Sequence, residues 1–439
     1  MRTIYCRAIA AAVAAGALTV PALAQTRDRA GDRPIYEGGL PDTGKGSKVD
    51  ATIDVASAYD SNLPTTQIGQ VTSSAFYTNG IYTTFSPQLN ASVNGEHVRF
   101  NLLASTNVRH YASLDQILVM NHFVGGNVIA QVTRKTSFTL NPSVTYAPTY
   151  LNGLLTETTP AGTLESPSAN SVVDAQRSYT YSAATGLTHN FTPRASLLFD
   201  ASYRYTDFIG HNAAYPDYRS YDGGGRFLYS LNRHTRMVLG YKFTHAQTLG
   251  LAQTREHDLE VGIDYDLPLS PTRKTTFSFN LGPTLATGYV ALDGDRDLRH
   301  QYRMRGDASL SHEFGRTWTT RVSYHRALGF IEGLAQPAYT GAYAASLDGS
   351  LNRRFGLSVS GAYSTGESAL IGEPSPFKSY TGSSRLLIAL GREWASYVQY
   401  VYYYYDFSQG FQLPVGVSRG LSRDSVRAGV TLWVPMRHR

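Results

Sequence analysis

Apolar and polar residues alternate strictly along several long stretches of this chain. The stretch 97–111, HVRFNLLASTNVRHY, places mainly apolar side chains at even positions and mainly polar ones at odd positions. Successive side chains of a β-strand point to opposite faces, so this period of two predicts a two-faced strand. The same period recurs in 195–205, 257–267 and 301–314. We therefore expect a fold built from β-strands alone.

Short and long connections alternate between these stretches. The short ones are Asn94-Gly95, Arg134-Lys135, Thr192-Pro193-Arg194, Asn232-Arg233, Ser270-Pro271-Thr272, Gly315-Arg316, Asn352-Arg353-Arg354 and Arg392-Glu393. The long ones lie near 60–74, 151–176, 210–215, 248–254, 292–296, 332–337, 366–376 and 408–418. Short turns at one end and long loops at the other are typical of an antiparallel up-and-down barrel in an outer membrane. Counting strands gives about 18, with roughly 16 to 18 compatible, and places both termini at the short-turn, periplasmic end.

A soluble β-sandwich would also alternate, and it is the main competing fold. Many of the alternating segments run to about 12 residues or more, whereas soluble strands average about five or six. A sandwich with such strands would expose long unpaired edges. The face opposite the apolar one is also charged rather than merely rich in serine and threonine. Both features favour the transmembrane barrel.

The N-terminus predicts export. Arg2 and Arg7 precede an apolar run over 8–20, and Ala22-Leu23-Ala24 forms a small-residue cleavage site. We predict a secretory signal peptide over 1–24, a flexible periplasmic lead-in over 25–48 and the barrel over 49–436. The only cysteine, Cys6, lies in the leader, so the mature chain is expected to have no disulfide and no thiol nucleophile. The expected location is the outer membrane of a Gram-negative cell.

Composition agrees with this picture. The chain has 439 residues, 31 of them tyrosine, while only 16% are charged and the mean hydropathy is -0.25, which is too polar for a bundle of membrane helices. Removing the two leader arginines from the 39 basic residues leaves 37 against 33 acidic ones, and so small an excess does not indicate nucleic-acid binding.

The charged face is expected to line a lumen. A lysine or arginine facing lipid near the bilayer midplane costs about 2–4 kcal/mol in a barrel. The acidic stretch around Glu260 follows a basic one with Arg236 and Lys242, so opposite charges should pair across neighbouring strands. Alternatively, these charges only solvate the interior and steady the barrel. The predicted lining residues are Arg99, Arg109, Asp200, Arg204, Arg236, Lys242, Asp258, Glu260, Asp264, Asp266, Arg303, Arg305, Asp307, Glu313 and Arg321.

A barrel of this size leaves an aqueous channel, so the expected function is passage of polar solutes or of a polar polymer across the outer membrane. The long link 151–176 either folds inward as a constriction or forms a surface loop. The tyrosines near strand ends suit girdles at the membrane interface, with stacking of Tyr403 and Tyr405 on sugar rings as the alternative.

Enzymatic chemistry finds little support in the sequence. The twelve histidines are scattered and show no metal-binding spacing, so we expect no metal, no cofactor and no catalytic residue. Ser323 and His325 lie two apart on one strand, which is not the arrangement of a nucleophile and its base. An outer-membrane lipase or protease is the remaining enzyme hypothesis.

The last strand carries a predicted assembly signal. Arg427, Gly429, Leu432 and Val434 follow the polar, glycine, hydrophobic, hydrophobic order of terminal strands that the outer-membrane insertion machinery recognises. The chain departs from the usual aromatic ending, since it finishes Met436-Arg437-His438-Arg439. The expected partners are this machinery and outer-membrane lipid.

The start of the mature chain resembles a known family. Arg33, Pro34 and Tyr36 form a lead-in. The segment 59–63, Tyr-Asp-Ser-Asn-Leu, is similar to a turn that ends the first strand in a family of β-barrel porins found with exopolysaccharide synthesis and export systems. Ser61 departs from that pattern, which has a second acidic residue there. The resemblance implies an outer-membrane barrel and a role beside polysaccharide export components. Uptake of small solutes is the rival function.

Overall fold

The computed structural model describes most of the predicted barrel. The described residues are 34–38, 46–65, 76–112, 117–147, 177–209, 217–250, 252–270, 273–290, 298–314, 317–330, 337–369, 376–410, 413 and 419–438. The predicted signal peptide 1–24 and the link 151–176 lie outside them. Among the described residues there is no helix long and apolar enough to cross a membrane.

All regular structure in the described residues is β-strand. The strands are β1 (Gly46–Thr65), β2 (Phe76–Asn94), β3 (Val98–Tyr111), β4 (Ile117–Thr133), β5 (Thr136–Ala147), β6 (Ser178–Asn190), β7 (Ala195–Phe208), β8 (Tyr218–Ser230), β9 (Thr235–Thr248), β10 (Ala252–Ser270), β11 (Arg273–Val290), β12 (Arg299–Phe314), β13 (Trp318–Phe330), β14 (Pro337–Ser350), β15 (Phe355–Ser368), β16 (Pro376–Ala389), β17 (Trp394–Phe407) and β18 (Gly420–His438). The shortest has 12 residues and the longest 20, which confirms the expected long strands.

The strands form one closed antiparallel barrel. Each strand pairs with its neighbours in sequence, and β18 pairs with β1 to close the sheet. This closing ladder runs from Lys48↔His438 to Asp60↔Ser425. Closure removes the unpaired edges that would otherwise favour association with other chains. The predicted antiparallel up-and-down barrel of 18 strands is confirmed.

Side-chain hydrogen bonds stabilise the short turns. The Asn232 side-chain carbonyl accepts from the backbone N–H groups of His234 and Thr235, both at 2.8 Å. Asn352 repeats this pattern with Arg354 and Phe355, at 2.8 and 2.9 Å. Asparagine favours tight turns because its short side chain satisfies backbone donors within two or three residues. This chemistry explains why the asparagine and arginine turns were visible in the sequence.

Each strand has one apolar and one polar face. Large side chains such as Leu239, Leu259 and Val261 are more than half exposed, at 59%, 53% and 55%. Their sequence neighbours on the other side of the strand, including Asp258 and Glu260, belong to the opposite face. We call these the apolar face and the polar face. The predicted alternation is therefore present in the three-dimensional fold.

A row of tyrosines crosses five strands on the apolar face. The successive ring centroids are separated by 4.7, 6.3, 4.9 and 5.5 Å. We call this the tyrosine row; its members are Tyr324, Tyr343, Tyr363, Tyr380 and Tyr404. In contrast, Tyr403 and Tyr405 lie on the polar face and are only 5% and 4% exposed, so neither presents a free ring for stacking on a sugar.

Both ends of the described barrel meet at the short-turn end. β1 begins and β18 ends there, and β1 starts at Gly46, three residues before the predicted barrel boundary. The segment 59–63 does not form the turn that the family resemblance implied, because β1 continues to Thr65. An irregularity in pairing with β2 between Asp60 and Leu63 takes its place. That the short-turn end is periplasmic stays a prediction.

Candidate functional site

Ion pairs between adjacent strands cover the polar face of β7 to β11. Each joins a carboxylate on one strand to a cation on the next, as expected for opposite charges in an antiparallel sheet. Arg236 and Asp264 form the bond that the sequence predicted, whereas Lys242 pairs with Asp222 of β8 rather than with β10. The pairs are Arg226–Asp200 at 3.4 Å, Lys242–Asp222 at 3.3 Å, Arg236–Asp264 at 2.7 Å and Lys274–Asp266 at 3.1 Å.

A more buried network spans β10 to β13. Asp258 accepts a hydrogen bond from Thr284 at 2.6 Å and pairs with Arg305 at 2.8 Å. Arg305 also contacts Asp307 at 3.3 Å, and Asp307 pairs in turn with His325. Because Asp258 is 5% exposed, both of its oxygens need such partners. Three of the predicted lining residues are thus brought together, and their charges are largely neutralised by each other.

A second buried group lies on β1, β2, β3 and β18. Asp60 and Arg423 form an ion pair in which the side chains are 0% and 3% exposed. Arg109 lies over the Tyr82 ring, 5.9 Å from its centroid, and Tyr82 packs on Tyr111 with ring centroids 4.8 Å apart. We call these five residues the buried cluster. It includes one predicted lining residue, Arg109, and shows that Asp60 is partnered by an arginine.

The other predicted lining residues lie outside these groups. They are Arg99, Arg204, Glu260, Arg303, Glu313 and Arg321, which all occupy polar-face positions of their strands. Arg303 forms an ion pair with Glu367 at 3.1 Å. Arg321 approaches Asp348 at 3.9 Å. That these side chains, together with the paired ones, line an open lumen stays a prediction.

Sequence reasoning missed several charged residues of the polar face. They follow the same alternation as the predicted ones, so period two would have identified them. Asp54, for example, accepts hydrogen bonds from Tyr397 and Thr431 at 2.8 and 2.7 Å. The missed residues include Asp50, Asp54, Asp60, Asp222, Arg226, Glu256, Lys274, Asp348, Arg385 and Arg423.

Pairs of hydroxyl groups lie on two other parts of the polar face. On β5 to β7, Ser143 bonds Ser182 at 2.7 Å and Thr180 bonds Thr206 at 3.1 Å. On β15 and β16, Ser360 bonds Ser383 at 2.8 Å. Hydroxyls donate and accept, so they can exchange partners with an uncharged polar solute.

A short N-terminal strap lies against the short turns. We give this name to residues 34–38. Its backbone donates from Ile35 to the Arg353 carbonyl and from Glu37 to the Arg392 carbonyl, both at 2.9 Å. Tyr36 is 8% exposed and packs with Ala389, Ala395 and Trp433. Burial raises the pKa of Tyr36 to about 12, so its hydroxyl stays neutral in ordinary buffers.

The assembly-signal residues lie in the strand that closes the barrel. Arg427 and Gly429 fall on the polar face of β18, and Arg427 reaches the Tyr82 hydroxyl at 3.4 Å. Leu432 pairs with Ile53 of β1 and Trp394 of β17. Recognition of these residues by insertion machinery stays a prediction. Among the described residues, no group of three or more histidine, cysteine, aspartate or glutamate side chains is arranged to hold a metal ion.

No protein-family model and no curated protein matches this sequence. Among solved structures, it is similar to OpdL from Pseudomonas aeruginosa, with a TM-score of 0.41, 10% identity and coverage of 89% of this chain and 99% of that one. It is also similar to OccK2 (OpdF) from Pseudomonas aeruginosa, solved in complex with glucuronate. The TM-score is 0.43 and the identity 13%, over 89% of this chain and 98% of that one. For OccAB4 from Acinetobacter baumannii, the TM-score is 0.44 and the identity 10%, over 90% of this chain and 100% of that one. Such low identities do not transfer a ligand or an activity, and none of these comparisons supports the resemblance to exopolysaccharide-associated porins.

Proposed function

We propose that this protein is a porin-like channel that lets small polar solutes cross an outer membrane. The carrying observation is the separation of the two faces. Large apolar side chains are exposed on one face of the barrel, while the ion pairs and buried charges lie on the other. The tyrosine row adds five aromatic rings to the apolar face.

The proposal requires the polar face to be the inner one. Side chains converge on the concave side of a closed sheet and diverge on the convex side, so contacts that skip a strand favour the inside. Three contacts on the polar face skip one strand: Tyr397 of β17 with Asp54 of β1, Arg305 of β12 with Asp258 of β10, and Arg427 of β18 with Tyr82 of β2. They support a lumen lined by the predicted charged residues.

Burial on the polar face favours small solutes over a polymer. Inward side chains around a wide, open bore would be exposed to water. Instead, Tyr82, Tyr111, Tyr397, Tyr403 and Tyr405 are all 5% exposed or less. They show that bulky side chains are packed against β1–β3 and β16–β18, which would narrow the path beside them. Uptake of small solutes is therefore our main proposal, and export of a polysaccharide is the second candidate.

We further propose that the barrel performs no chemical step itself. Its expected partners are outer-membrane lipid and the machinery that inserts barrels, and its expected route is export by the N-terminal leader followed by insertion. Polysaccharide export components remain partners only under the second candidate function.

Liposome swelling tests both candidates in one experiment. Purified protein is reconstituted into liposomes, which are then diluted into isotonic solutions of a monosaccharide, a trisaccharide or a long dextran. We expect rapid swelling with the monosaccharide, slower swelling with the trisaccharide and none with dextran. Equal rates for all three would favour the polymer path. No swelling and no conductance from a folded, inserted barrel would contradict the channel.

A further inference from the structure

The wall of the barrel contains a seam between β12 and β13. Their ladder runs from Phe314↔Trp318 to Gly306↔Arg326 and stops there, although both strands continue. Beyond that point, 299–305 of β12 pair only with β11, and 327–330 of β13 pair only with β14. The β2–β3 and β4–β5 ladders are also interrupted, at Pro87 and Pro142. Each of those gaps is two residues wide, and the ladder resumes beyond it. The seam contains no proline and does not resume within the described strands.

Tyr339 of β14 fastens the two sides of the seam. It lies opposite Leu328 of β13, and its hydroxyl donates a hydrogen bond to the backbone carbonyl of Met304 on β12. Its ring is flanked by two cations, Arg303 at 5.5 Å and Arg326 at 4.8 Å from the ring centroid. Arg303 also forms an ion pair with Glu367 of β15 at 3.1 Å, and Leu328 and Tyr339 pack in one buried cluster with Ala286 and Ala369. Side chains therefore close the wall where the β12–β13 ladder has stopped. The β1–β18 ladder also stops, at Asp60↔Ser425, before both of its strands end.

The two sides of the seam differ in chemistry. Tyr302 and Met304 lie on the apolar face and are 78% and 48% exposed. On the polar-face positions of the same strand, Gln301 Oε1 and Arg303 Nε are buried and lack a hydrogen-bond partner among the described residues. A molecule crossing the seam would thus meet apolar groups on one side and, on the other, these two buried polar atoms beside the ion pair of Arg303 with Glu367.

The seam also lies at a specific level of the wall. It begins at Arg326, two residues beyond Tyr324, the first member of the tyrosine row. Unpaired backbone is not tolerated against hydrocarbon, but it is tolerated where it meets protein or water. The unpaired residues 299–305 and 327–330 are those nearest the long loops, so the seam lies at the long-loop end of the wall.

We propose that this seam is a side exit, closed in this structure by Tyr339 and the side-chain contacts around it, through which an amphiphile with an anionic head group passes between the lumen and the surrounding membrane. The apolar rim suits its tail, and Arg326, 4.8 Å from the centroid of the Tyr339 ring, suits its head group, whereas Arg303 is paired with Glu367. The inference rests on the proposed channel, since it requires a lumen and a bilayer.

Laurate is the probe, because it combines a carboxylate with a chain that partitions into bilayers. Single-channel current is recorded with and without laurate for wild type, Tyr339→Phe and Tyr339→Ala. We expect laurate to interrupt the current, about fivefold more often in Tyr339→Phe, which loses one hydrogen bond. Tyr339→Ala also loses both cation–π contacts and should show a roughly tenfold or greater increase. Tyr343→Ala, four residues along the same strand in the tyrosine row, should behave as wild type.

Cysteine pairs test the seam without any current measurement. In a Cys6→Ser background, Leu310→Cys with Val322→Cys joins directly paired positions and should oxidise readily. Met304→Cys with Leu328→Cys occupies the positions that would pair if the ladder continued, and should not.

The outcomes separate the two proposals. A seam pair that oxidises as readily as the control, or interruptions equally frequent in wild type and Tyr339→Ala, would overturn the side exit. Acetate producing the same interruptions as laurate would also overturn it, because acetate does not partition into the bilayer. A folded barrel with no conductance in any variant would overturn the proposed channel and, with it, the exit.

Discussion

At the scale of single residues, Gly429 is a position where the barrel has no room for a side chain. A Cβ there would lie 2.7 Å from the Ala56 Cβ, 2.8 Å from the Val55 carbonyl oxygen and 2.9 Å from the Tyr397 ring. Gly429→Ala should therefore destabilise the folded barrel by about 1–3 kcal/mol through overpacking. Denaturant unfolding in detergent measures it. Gly382→Ala, where a Cβ meets nothing within 4 Å, is the control and should stay within about 1 kcal/mol of wild type; equal losses in the two variants would refute the packing argument.

The Asp60–Arg423 pair is the second residue-scale test. Arg423→Met leaves the Asp60 carboxylate buried without its cation, which costs about 3–5 kcal/mol in comparable cases. Lys378→Met removes one partner of an exposed pair, Lys378–Asp406 at 3.2 Å, and should cost about 0–1 kcal/mol. The free energy of unfolding of both variants decides the point. Similar values for the two would mean that burial does not set the strength of the Asp60 pair.

At the scale of elements, the N-terminal strap depends on Tyr36. Tyr36→Ala removes a buried ring, so the strap should open more often and the Ile35 and Glu37 amides should exchange hydrogen roughly tenfold faster or more. Tyr36→Phe keeps the ring and should exchange at close to the wild-type rate. Hydrogen exchange followed by mass spectrometry makes the comparison. Unchanged exchange in Tyr36→Ala would show that the backbone hydrogen bonds to Arg353 and Arg392 suffice.

The strap should also respond to alkaline pH. The pKa of Tyr36 is raised from 10.0 to about 12 because burial disfavours the phenolate. A group with a raised pKa in the docked state contributes full stability below its unfolded value and loses it as pH rises. The docked strap is therefore expected to weaken between about pH 10 and 12. In Tyr36→Phe, exchange corrected for the intrinsic pH dependence should show no such change.

The sequence predicts which segments form strands and which face of each strand is polar. It does not predict which side chains pair across strands or where a ladder stops. The alternation in β3, β7, β10 and β12 depends only on neighbouring residues, so it is visible in one chain. The seam depends on where the β12–β13 ladder stops, and the choice of Asp222 by Lys242 depends on a strand that precedes it. The segment 59–63 illustrates the same limit. This turn-like sequence continues as strand because β18 and β2 both pair with Tyr59 and Asp60, and β2 pairs again from Leu63 onward.

At the scale of the whole molecule, we infer from the closed sheet and its two faces that the apolar face meets lipid and the polar face surrounds water. Closure could be anticipated because long strands without a partner leave edges that a membrane does not tolerate. The side chains that pack on the polar face could not be anticipated, because Tyr82, Tyr111 and Tyr403 belong to three strands, β2, β3 and β17. Their burial is what directs the proposal toward small solutes.

Neighbouring residues in the middle of β10 offer the most direct measurement of that claim. In a Cys6→Ser background, Glu260→Cys and Val261→Cys are reconstituted separately into liposomes and treated with a charged, membrane-impermeant thiol reagent. Val261 is 55% exposed on the apolar face, and Glu260 lies on the polar face. With the impermeant reagent, we predict rapid modification at position 260 and protection at position 261. With a lipid-soluble thiol reagent, we predict the reverse order. Rapid modification at 261 with protection at 260, or equal rates at both, would contradict the account.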